Sequence, residues 1–307
     1  MNRFPTSFLS LGRAVAAALR HLTLGAVALL ALSAGPLQAQ GLEGSDAVPF
    51  ASLRAIPAGN LLWIGAHPDD EVILAPLLGE LCIEGRHSCT LLVLTRGESG
   101  LCRLPGGCAP DVATVRTAEM QAAAALYRAR LVQGTLPDVP GPDPVAVRRA
   151  WAATVGGKDA LLDRLAGAIR IAAPRAIITF DPRHGSTCHP AHRAVGTLVL
   201  QALARLAAPP PVFVLQSRVR IAPGGANIAL SPAVEGPELL TFDATKSRRG
   251  APGTLWDYLL ADAHRQPSQF DATFLASMEA VPTSARRVWL LPAAAWTPSL
   301  SGVDGCE

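Results

Sequence analysis

Short apolar runs alternate with longer segments of helical periodicity along the chain, and this alternation limits the possible folds more than any other feature. Continuous apolar runs predict buried strands, here at residues 61–66, 90–95, 176–180 and 212–219, with a weaker run at 287–291. Helical spacing of apolar residues is found at 71–84, 111–130, 158–173 and 192–207. Strands that alternate with helices form a parallel sheet with helices on both faces. The sequence therefore predicts an α/β, Rossmann-like, mostly parallel sheet.

Size and charge narrow the class of protein. A chain of 307 residues, half of them apolar, has enough material for one α/β domain and little for a second, so residues 40–307 are expected to form one domain. The net charge is only +3, and the arginines are scattered without interleaved aromatics, which excludes a nucleic-acid partner. The sequence has neither a GxGxxG after the first strand nor a P-loop motif, so no nucleotide cofactor is indicated.

The first 39 residues have the pattern of a secretory signal peptide. Arg3, Arg13 and Arg20 precede an apolar run at 22–34, and the first acidic residue is Glu43. We expect cleavage after Ala39. An uncleaved membrane anchor is the alternative, but the run is shorter than the ~20 residues that span a bilayer. The mature protein is therefore expected to be periplasmic or secreted, without a stable membrane span.

The cysteine content agrees with export to an oxidising compartment. Two pairs enclose short polar loops, which favours Cys82–Cys89 and Cys102–Cys108 disulfides. This hypothesis leaves Cys188 with Cys306 by exclusion. A zinc thiolate is the alternative for Cys188, which precedes a histidine.

Polar clusters follow three of the predicted strands, at the edge where ligands bind in such sheets. They are HPDDE at 67–71, RGESG at 96–100 and DPRHGSTCHPAH at 181–192. In the first cluster, His67 and Asp70 could face one metal ion; the alternative is that Asp69 or Asp70 caps the next helix. His189 and His192 can share a helix face or decorate the surface. Together the two clusters offer the three protein ligands that a catalytic zinc site needs.

Several motifs give the chain a family resemblance. They are AHPDDE at 66–71, LTRGESG at 94–100, an R-x-x-E at Arg116, PRAIITFDP at 174–182, HPAH with Gly196 four residues later, and SQF at 268–270. In this order and over about two hundred residues, the chain resembles the LmbE-like metal-dependent deacetylases. That family includes N-acetylglucosaminyl-phosphatidylinositol de-N-acetylases and the deacetylases of mycothiol and bacillithiol synthesis.

The resemblance implies a role for each matching residue. The zinc ligands would be His67, Asp70 and His192, and Asp69 would be the general base. His189 would stabilise or protonate the tetrahedral intermediate, and Arg116 would contact the sugar or its substituent.

One position departs from the family pattern, since Ala191 stands where the family usually has aspartate. Loss of a carboxylate beside a catalytic histidine changes how that histidine is tuned. Asp181, His184 or Ser186 in the preceding loop could take the place of that carboxylate.

The resemblance and the signal-peptide pattern together predict an exported zinc-dependent de-N-acetylase that hydrolyses an N-acetylglucosamine-type sugar, monomeric or at a chain end. One alternative is an amidase of the same family that acts on another N-acyl amine or thiol conjugate. The other is a non-catalytic exported sugar-binding protein. The Pro- and Gly-rich segments 133–157 and 223–252 are expected to be long loops that shape the site, the first with a short helix and the second with edge strands.

Overall fold

A mostly parallel sheet carries the functional clusters. The computed structural model describes residues 53, 56–141, 143–216, 219–221, 227–229, 240–283 and 286–293, which all lie in one compact unit, Val48–Glu307. Five parallel strands form most of the sheet: β1 (Asn60–Gly65), β2 (Ser88–Thr95), β3 (Arg130–Leu136), β4 (Ala176–Phe180) and β5 (Val212–Gln216). A small hairpin follows, with strands β6 (Val219–Ile221) and β7 (Asn227–Ala229). Two antiparallel strands, β8 (Leu240–Asp243) and β9 (Arg287–Pro292), complete the sheet.

The strand order places a crevice between β1 and β4. The order is β3-β2-β1-β4-β5-β9-β8, so the chain winds outward from β1 in one direction and from β4 in the other. In open α/β sheets ligands bind where the order reverses, beyond the carboxyl ends of the strands. β1, β2 and β4 are buried along nearly their whole length, as expected for continuous apolar runs covered on both faces. The predicted fold class is confirmed.

Helices connect the strands. They are α1 (Ala75–Leu78), α2 (Val112–Leu126), α3 (Pro144–Val155), α4 (Lys158–Ala172), α5 (Gly185–Cys188), α6 (Pro190–Leu203), α7 (Trp256–Ala263) and α8 (Ala272–Glu279). Three of them start at an aspartate whose side chain accepts a backbone N–H of the first turn: Asp111, Asp143 and Asp271. In α4 the buried residues recur at helical spacing, from Leu161 to Ile169, so one stripe of the helix packs on the core.

The helix predicted at 71–84 is wrong as a continuous α-helix. The segment consists of a 3₁₀ turn at Asp70–Leu74, then α1, then a π-helical turn at Gly79–Ile83. Pro76 explains the break, because it lacks the N–H that an α-helix would donate to the carbonyl of Val72. The tighter first turn keeps the residues after β1 close to the strand end.

The prediction for 133–157 is partly wrong: the expected helix is present as α3, but it takes up half of the segment, and the end of β3 also lies there. β3 is an edge strand with mostly half-exposed residues, so it shows no continuous apolar run. α3 buries only Val147 and Trp151, and its start is hidden among prolines and glycines. Much of the segment 223–252 lies outside the described residues, but β8 in it is an edge strand, as expected.

Two of the predicted disulfides are present, Cys82–Cys89 and Cys102–Cys108. Cys188 is also disulfide-bonded, so the zinc-thiolate alternative for this residue is wrong. Cys306 lies outside the described residues, as does the predicted signal peptide, so the pairing of Cys188 with Cys306 remains a prediction. No helix in the described part of the chain has the length and apolar character needed to cross a membrane.

Candidate metal centre and active site

The two predicted histidine-containing clusters meet at the crevice between β1 and β4. His67, Asp69 and Asp70 follow β1, whereas His189 and His192 lie at the start of α6, after β4. All five line one cavity of about 670 Å³. The structure thus brings together side chains that are more than a hundred positions apart in the sequence.

Asp70 is fixed by the backbone and points one oxygen at two imidazoles. Its Oδ2 accepts hydrogen bonds from the backbone N–H groups of Ala66 and His67, at 2.7 and 2.8 Å. Its Oδ1 lies 3.5 Å from His67 Nδ1 and 2.9 Å from His192 Nε2. Two ligand atoms that each lie about 2.1 Å from a tetrahedral zinc ion are about 3.4 Å from each other. The two distances from Asp70 Oδ1 to the imidazoles are therefore close to those expected for ligands of one zinc ion.

The other nitrogen of each imidazole has its own partner. His67 Nε2 lies 3.3 Å from Asp138 Oδ1, and His192 Nδ1 lies 2.8 Å from the carbonyl oxygen of Gly185. Phe180 stacks on His192, with ring centroids 4.1 Å apart and planes 3° apart. Metal-binding histidines usually donate their second ring N–H to a carboxylate or a carbonyl, which fixes tautomer and orientation. Both histidines have this arrangement.

The electrostatics also favour a cation. Burial lowers the pKa of His67, but the charges and hydrogen bonds of Asp70 and Asp138 outweigh burial and raise it to about 10. Burial raises the pKa of Asp70, but His192 and His67 hold it well below its usual range. A buried carboxylate that stays charged, with a second carboxylate behind His67, gives the site negative potential.

Asp138 was missed by the sequence analysis. It lies just beyond the carboxyl end of β3, inside the segment that was expected to be a loop. No local motif distinguishes it, and its position becomes meaningful only once β3 is recognised as a strand.

His189 offers an alternative third donor. Ring nitrogens of His67, His189 and His192 all lie within 4.8 Å of one another. Two three-donor sets therefore share His67 and His192, and differ in whether Asp70 or His189 completes the set. Asp70 is the better ligand on charge, because its carboxylate is anionic, whereas burial and the neighbouring His192 and His67 lower the pKa of His189 to about 2 and keep this imidazole neutral.

Ala191 stands where the family has aspartate, and no described side chain of the preceding loop places a carboxylate beside His189 instead. Ala191 is buried, and no carboxylate among the described residues is hydrogen-bonded to His189. Asp181 Oδ2 instead lies 3.0 Å from His184 Nδ1. Ser186 lines the cavity, and its Oγ has no hydrogen-bond partner among the described residues. His189 is therefore a neutral imidazole here.

Asp69 faces the cavity instead of capping the following turn. Its side chain makes no capping hydrogen bond, and its backbone is left-handed, with φ 90°. Such a conformation is costly for a residue other than glycine and occurs often at functional sites. Burial and the nearby Asp70 charge raise the pKa of Asp69, Arg116 opposes them, and the result is about 6. This value suits a base that works near neutral pH.

Arg116 holds the Asp69 turn. The guanidinium donates to Asp69 Oδ2 at 2.9 Å, to the carbonyl oxygen of Pro68 at 2.5 Å and to that of Gly97 at 2.8 Å. It also lines the cavity, but it is only 4% exposed. A Cβ at Gly97 or Gly100 would lie 2.1 or 2.5 Å from Arg116 Nη1. Both glycines of the RGESG segment therefore make room for this arginine.

The middle of the RGESG segment holds Asp138. Ser99 donates its backbone N–H to Asp138 Oδ2 at 3.0 Å and its hydroxyl to the Asp138 carbonyl at 2.7 Å. Glu98 Oε1 accepts the backbone N–H of Asp138 at 2.9 Å. The segment therefore positions both a partner of His67 and a partner of Asp69.

Two further motif residues meet one turn along α2 from Arg116. Glu119 accepts two hydrogen bonds from Ser268, from the backbone N–H at 2.8 Å and from the hydroxyl at 2.5 Å. The helix that holds Asp69 through Arg116 thus also holds the loop that carries Phe270.

A buried polar network lies behind the metal centre. Gln266 Nε2 donates to Glu71 Oε1 at 2.6 Å and to Asp262 Oδ1 at 3.3 Å, and the Tyr127 hydroxyl donates to Asp262 Oδ2 at 2.6 Å. All four residues are at most 1% exposed. The network joins α7 to the turn that contains Asp69 and Asp70.

The fold and the site define the class of protein: an α/β protein with a candidate His/Asp metal centre. The centre lies where the strand order reverses, and the carboxylate of Asp69 is beside it. Residues 62–203 match the family model PIG-L, described as GlcNAc-PI de-N-acetylase, and form a PIG-L (LmbE-like) deacetylase family domain. The expected family membership is confirmed. A comparison with curated protein sequences found no match.

Solved structures of similar fold include two deacetylases and a hydratase. N,N'-diacetylchitobiose deacetylase from Pyrococcus horikoshii matches with a TM-score of 0.52 and 16% identity, and covers 83% of this chain and 98% of its own. A deacetylase of teicoplanin biosynthesis has a TM-score of 0.51 and 17% identity, and covers 76% of this chain and 97% of its own. GalB, a 4-carboxy-2-hydroxymuconate hydratase from Pseudomonas putida KT2440, has a TM-score of 0.52 and 16% identity, and covers 80% and 99%. At such identities the likeness shows the fold alone.

Proposed function

We propose that the protein is an exported, zinc-dependent de-N-acetylase that hydrolyses the acetamide of an N-acetylglucosamine-type sugar. The observation that carries the proposal is the convergence of His67, Asp70 and His192 beside Asp69. A hydratase shares the fold, so the fold does not select the reaction. Membership of a deacetylase family supports amide hydrolysis, and the named sugar deacetylase among the structural neighbours supports the substrate class.

The proposed zinc ligands are His67, Asp70 and His192, whose donor atoms are already arranged around one point. Bound zinc would polarise the amide carbonyl and lower the pKa of water toward ~7. Asp138 and the Gly185 carbonyl would keep the two imidazoles in the required tautomers.

Asp69 is the proposed general base. With a pKa of about 6, its carboxylate can accept a proton from the attacking water as the new C–O bond forms. The same proton can then pass from Asp69 to the amine nitrogen as the C–N bond breaks. The products are acetate and the free amine, and Asp69 returns to its charged form.

His189 is proposed to act on the carbonyl oxygen in its neutral form. An imidazole N–H within the cavity can donate a hydrogen bond to that oxygen as negative charge develops on it. The family resemblance also allowed His189 to protonate the intermediate, but burial and the neighbouring His192 and His67 lower its pKa to about 2, which favours the hydrogen-bonding role.

Export is proposed from the sequence, with support from the disulfides. The Cys82–Cys89 and Cys102–Cys108 bonds are typical of proteins in oxidising compartments. An exported enzyme meets N-acetylglucosamine units of polysaccharides and scavenged sugars, and a recessed site would favour a chain end.

Mass spectrometry tests the function. Zinc-loaded protein is incubated with N-acetylglucosamine, its oligomers and a set of non-sugar N-acyl amines, including thiol conjugates. We expect loss of one acetyl group from a sugar, and no loss with the Asp69→Asn variant. Cleavage of non-sugar amides alone would favour the amidase alternative, and sugar binding without cleavage would favour the sugar-binding alternative.

A further inference from the structure

A column of aromatic side chains reaches from the core of the sheet to one of the proposed zinc ligands. Trp63 lies in β1 and Phe180 is the last residue of β4, and each is only 1% exposed. Their rings meet edge to face, with centroids 5.1 Å apart and planes 70° apart. Phe180 in turn stacks flat on His192. We call Trp63, Phe180 and His192 the aromatic column.

Gly65 makes room for the first member of the column. Side chains alternate between the two faces of a strand, so Trp63 and Gly65 are on the same face of β1. A Cβ at Gly65 would lie 3.0 Å from Trp63 Nε1 and 3.2 Å from Asp70 Oδ2. The indole therefore leans along β1 over the missing side chain, toward the strand end where the candidate metal centre lies.

Core packing alone does not explain why this position holds a tryptophan. Trp63 Nε1 is buried and has no hydrogen-bond partner among the described residues. A buried donor without an acceptor destabilises a folded protein, and a purely apolar side chain would avoid that penalty. The indole does contact Phe180, in the edge-to-face geometry that aromatic pairs prefer. This contact gives the large ring a use that a smaller apolar side chain would not serve equally well.

The hydrogen-bonding contacts of His192 leave the faces of its ring without support. Nδ1 lies 2.8 Å from the carbonyl oxygen of Gly185, and Nε2 lies 2.9 Å from Asp70 Oδ1. Both contacts are made at the edge of the imidazole, so a movement perpendicular to the ring would carry Nε2 away from Asp70. The Phe180 ring covers one face with a centroid distance of 4.1 Å and planes 3° apart. It therefore blocks that movement on its side.

We propose that Phe180, braced by Trp63, is a positioning residue that holds His192 Nε2 in place for zinc. The inference concerns a metal ligand of the proposed function and makes no use of the substrate. A ligand atom that is already held where the ion needs it binds more tightly than one that must first be ordered. The aromatic column supplies this order from the face of the imidazole, while Gly185 supplies it from the edge.

Zinc titration without substrate, in competition with a chromogenic chelator, tests the proposal. Phe180→Leu keeps an apolar side chain at the end of β4 but removes the flat ring. We expect it to lower the zinc affinity by about tenfold, as for other partners of metal-binding histidines. Trp63→Phe weakens the brace and also removes the unpaired N–H. It should lower the zinc affinity by about threefold.

Phe242→Leu is the matched control. Phe242 is also a strand phenylalanine with 1% exposure, but it is not among the residues that line the cavity. Both leucine variants leave space in the core and should lower the free energy of unfolding. Only Phe180→Leu should weaken zinc binding. Cobalt(II) in place of zinc gives a second measurement, because its visible spectrum depends on ligand geometry and should change in Phe180→Leu alone.

Two results would overturn the proposal. One is a zinc affinity and a cobalt spectrum that stay unchanged in Phe180→Leu. The other is an equal loss of zinc affinity in Phe242→Leu, which would show a general effect of core packing. If Phe180→Leu does not fold, Trp63→Phe decides: a loss of zinc affinity supports the proposal and an unchanged affinity overturns it. A parent protein that binds zinc but cleaves no sugar amide would contradict the proposed function alone.

Discussion

At the scale of single residues, the choice between Asp70 and His189 determines the metal centre. Asp70 is charged and already held by two backbone N–H groups, whereas His189 is neutral and lacks a carboxylate partner. We predict that His192→Ala and Asp70→Ala lose most of the bound zinc, while His189→Ala and Asp69→Asn keep about one ion per chain. Metal analysis after dialysis against a weak chelator measures this.

The opposite pattern would change the ligand set. If His189→Ala empties the site and Asp70→Ala does not, the three-histidine set is the correct one. Loss of zinc from Asp69→Asn would contradict the assignment of Asp69 as a base.

Arg116 is predicted to act through Asp69. Its guanidinium is nearly inaccessible and donates to Asp69, Pro68 and Gly97, so we assign it to positioning instead of the substrate contact implied by the family resemblance. Arg116→Gln should lower kcat by about ten- to a hundredfold with little change in KM. Steady-state kinetics on a sugar substrate separate the two parameters.

Arg205→Gln is the control for Arg116→Gln. Arg205 also pairs with carboxylates, those of Asp159 and Asp163 in α4, but it is not among the residues that line the cavity. It should leave both parameters unchanged. A raised KM with unchanged kcat in Arg116→Gln would instead show a substrate contact.

At the scale of elements, the contact between α6 and β4 sets the position of His192. A Cβ at Gly196 would lie 2.3 Å from the carbonyl oxygen of Phe180, so glycine lets the helix approach the strand end. Gly196→Ala should lower the free energy of unfolding by about 1–3 kcal/mol and reduce zinc affinity, because α6 must move away from β4. Thermal unfolding and zinc titration measure the two effects.

Gly167→Ala is the matched control in α4. A Cβ there meets only the end of Arg170, at 3.7 Å, so this substitution should stabilise the protein by about 0.5–1 kcal/mol and leave zinc affinity unchanged. Equal effects of both substitutions would show that close packing at Gly196 does not position the histidine.

The sequence predicted the elements that are buried and missed those that are not. β1 and β4 are continuous apolar runs, so their position and the polar clusters after them could be read directly. β3 and α3 leave most of their residues partly or fully exposed, so no strong periodicity marked them, and only a short helix was expected where α3 lies. Asp138, at the end of β3, was missed for the same reason.

For the site, the sequence could identify residue types but not their surroundings. The distance from HPDDE to HPAH in the chain hides the contact between Asp70 and His192, which follows from strand order. The roles of Gly97 and Gly100 likewise depend on the buried guanidinium of a helix that lies between β2 and β3.

At the scale of the whole molecule, the buried network behind the metal centre links stability to pH. Burial raises the pKa of Asp262 to about 7 from a usual value of 3.8, although hydrogen bonds from Tyr127 and Gln266 oppose this. The folded protein thus binds a proton more tightly than the unfolded chain. Stability from this group is full below pH 4 and is lost as the pH rises through 7, by about 1.4 kcal/mol per pKa unit of difference.

Asp262→Asn isolates this contribution, because asparagine has nearly the same shape and does not titrate. Denaturant unfolding between pH 4.5 and 7.5 should show a smaller decline in the variant than in the parent protein. Identical declines would assign the pH dependence to other groups.

The lack of buried residues in α8 has a consequence for how this protein can change over generations. Phe274 and Met278 line the cavity and are only partly buried against the core, so substitutions there cost less stability than substitutions of fully buried side chains. Substitutions at Arg116 or Asp70 disrupt buried contacts and cost more. The scaffold therefore keeps its bond-breaking chemistry under strong constraint while the range of molecules it accepts is free to drift, which makes α8 the natural starting point for directed evolution toward new amides.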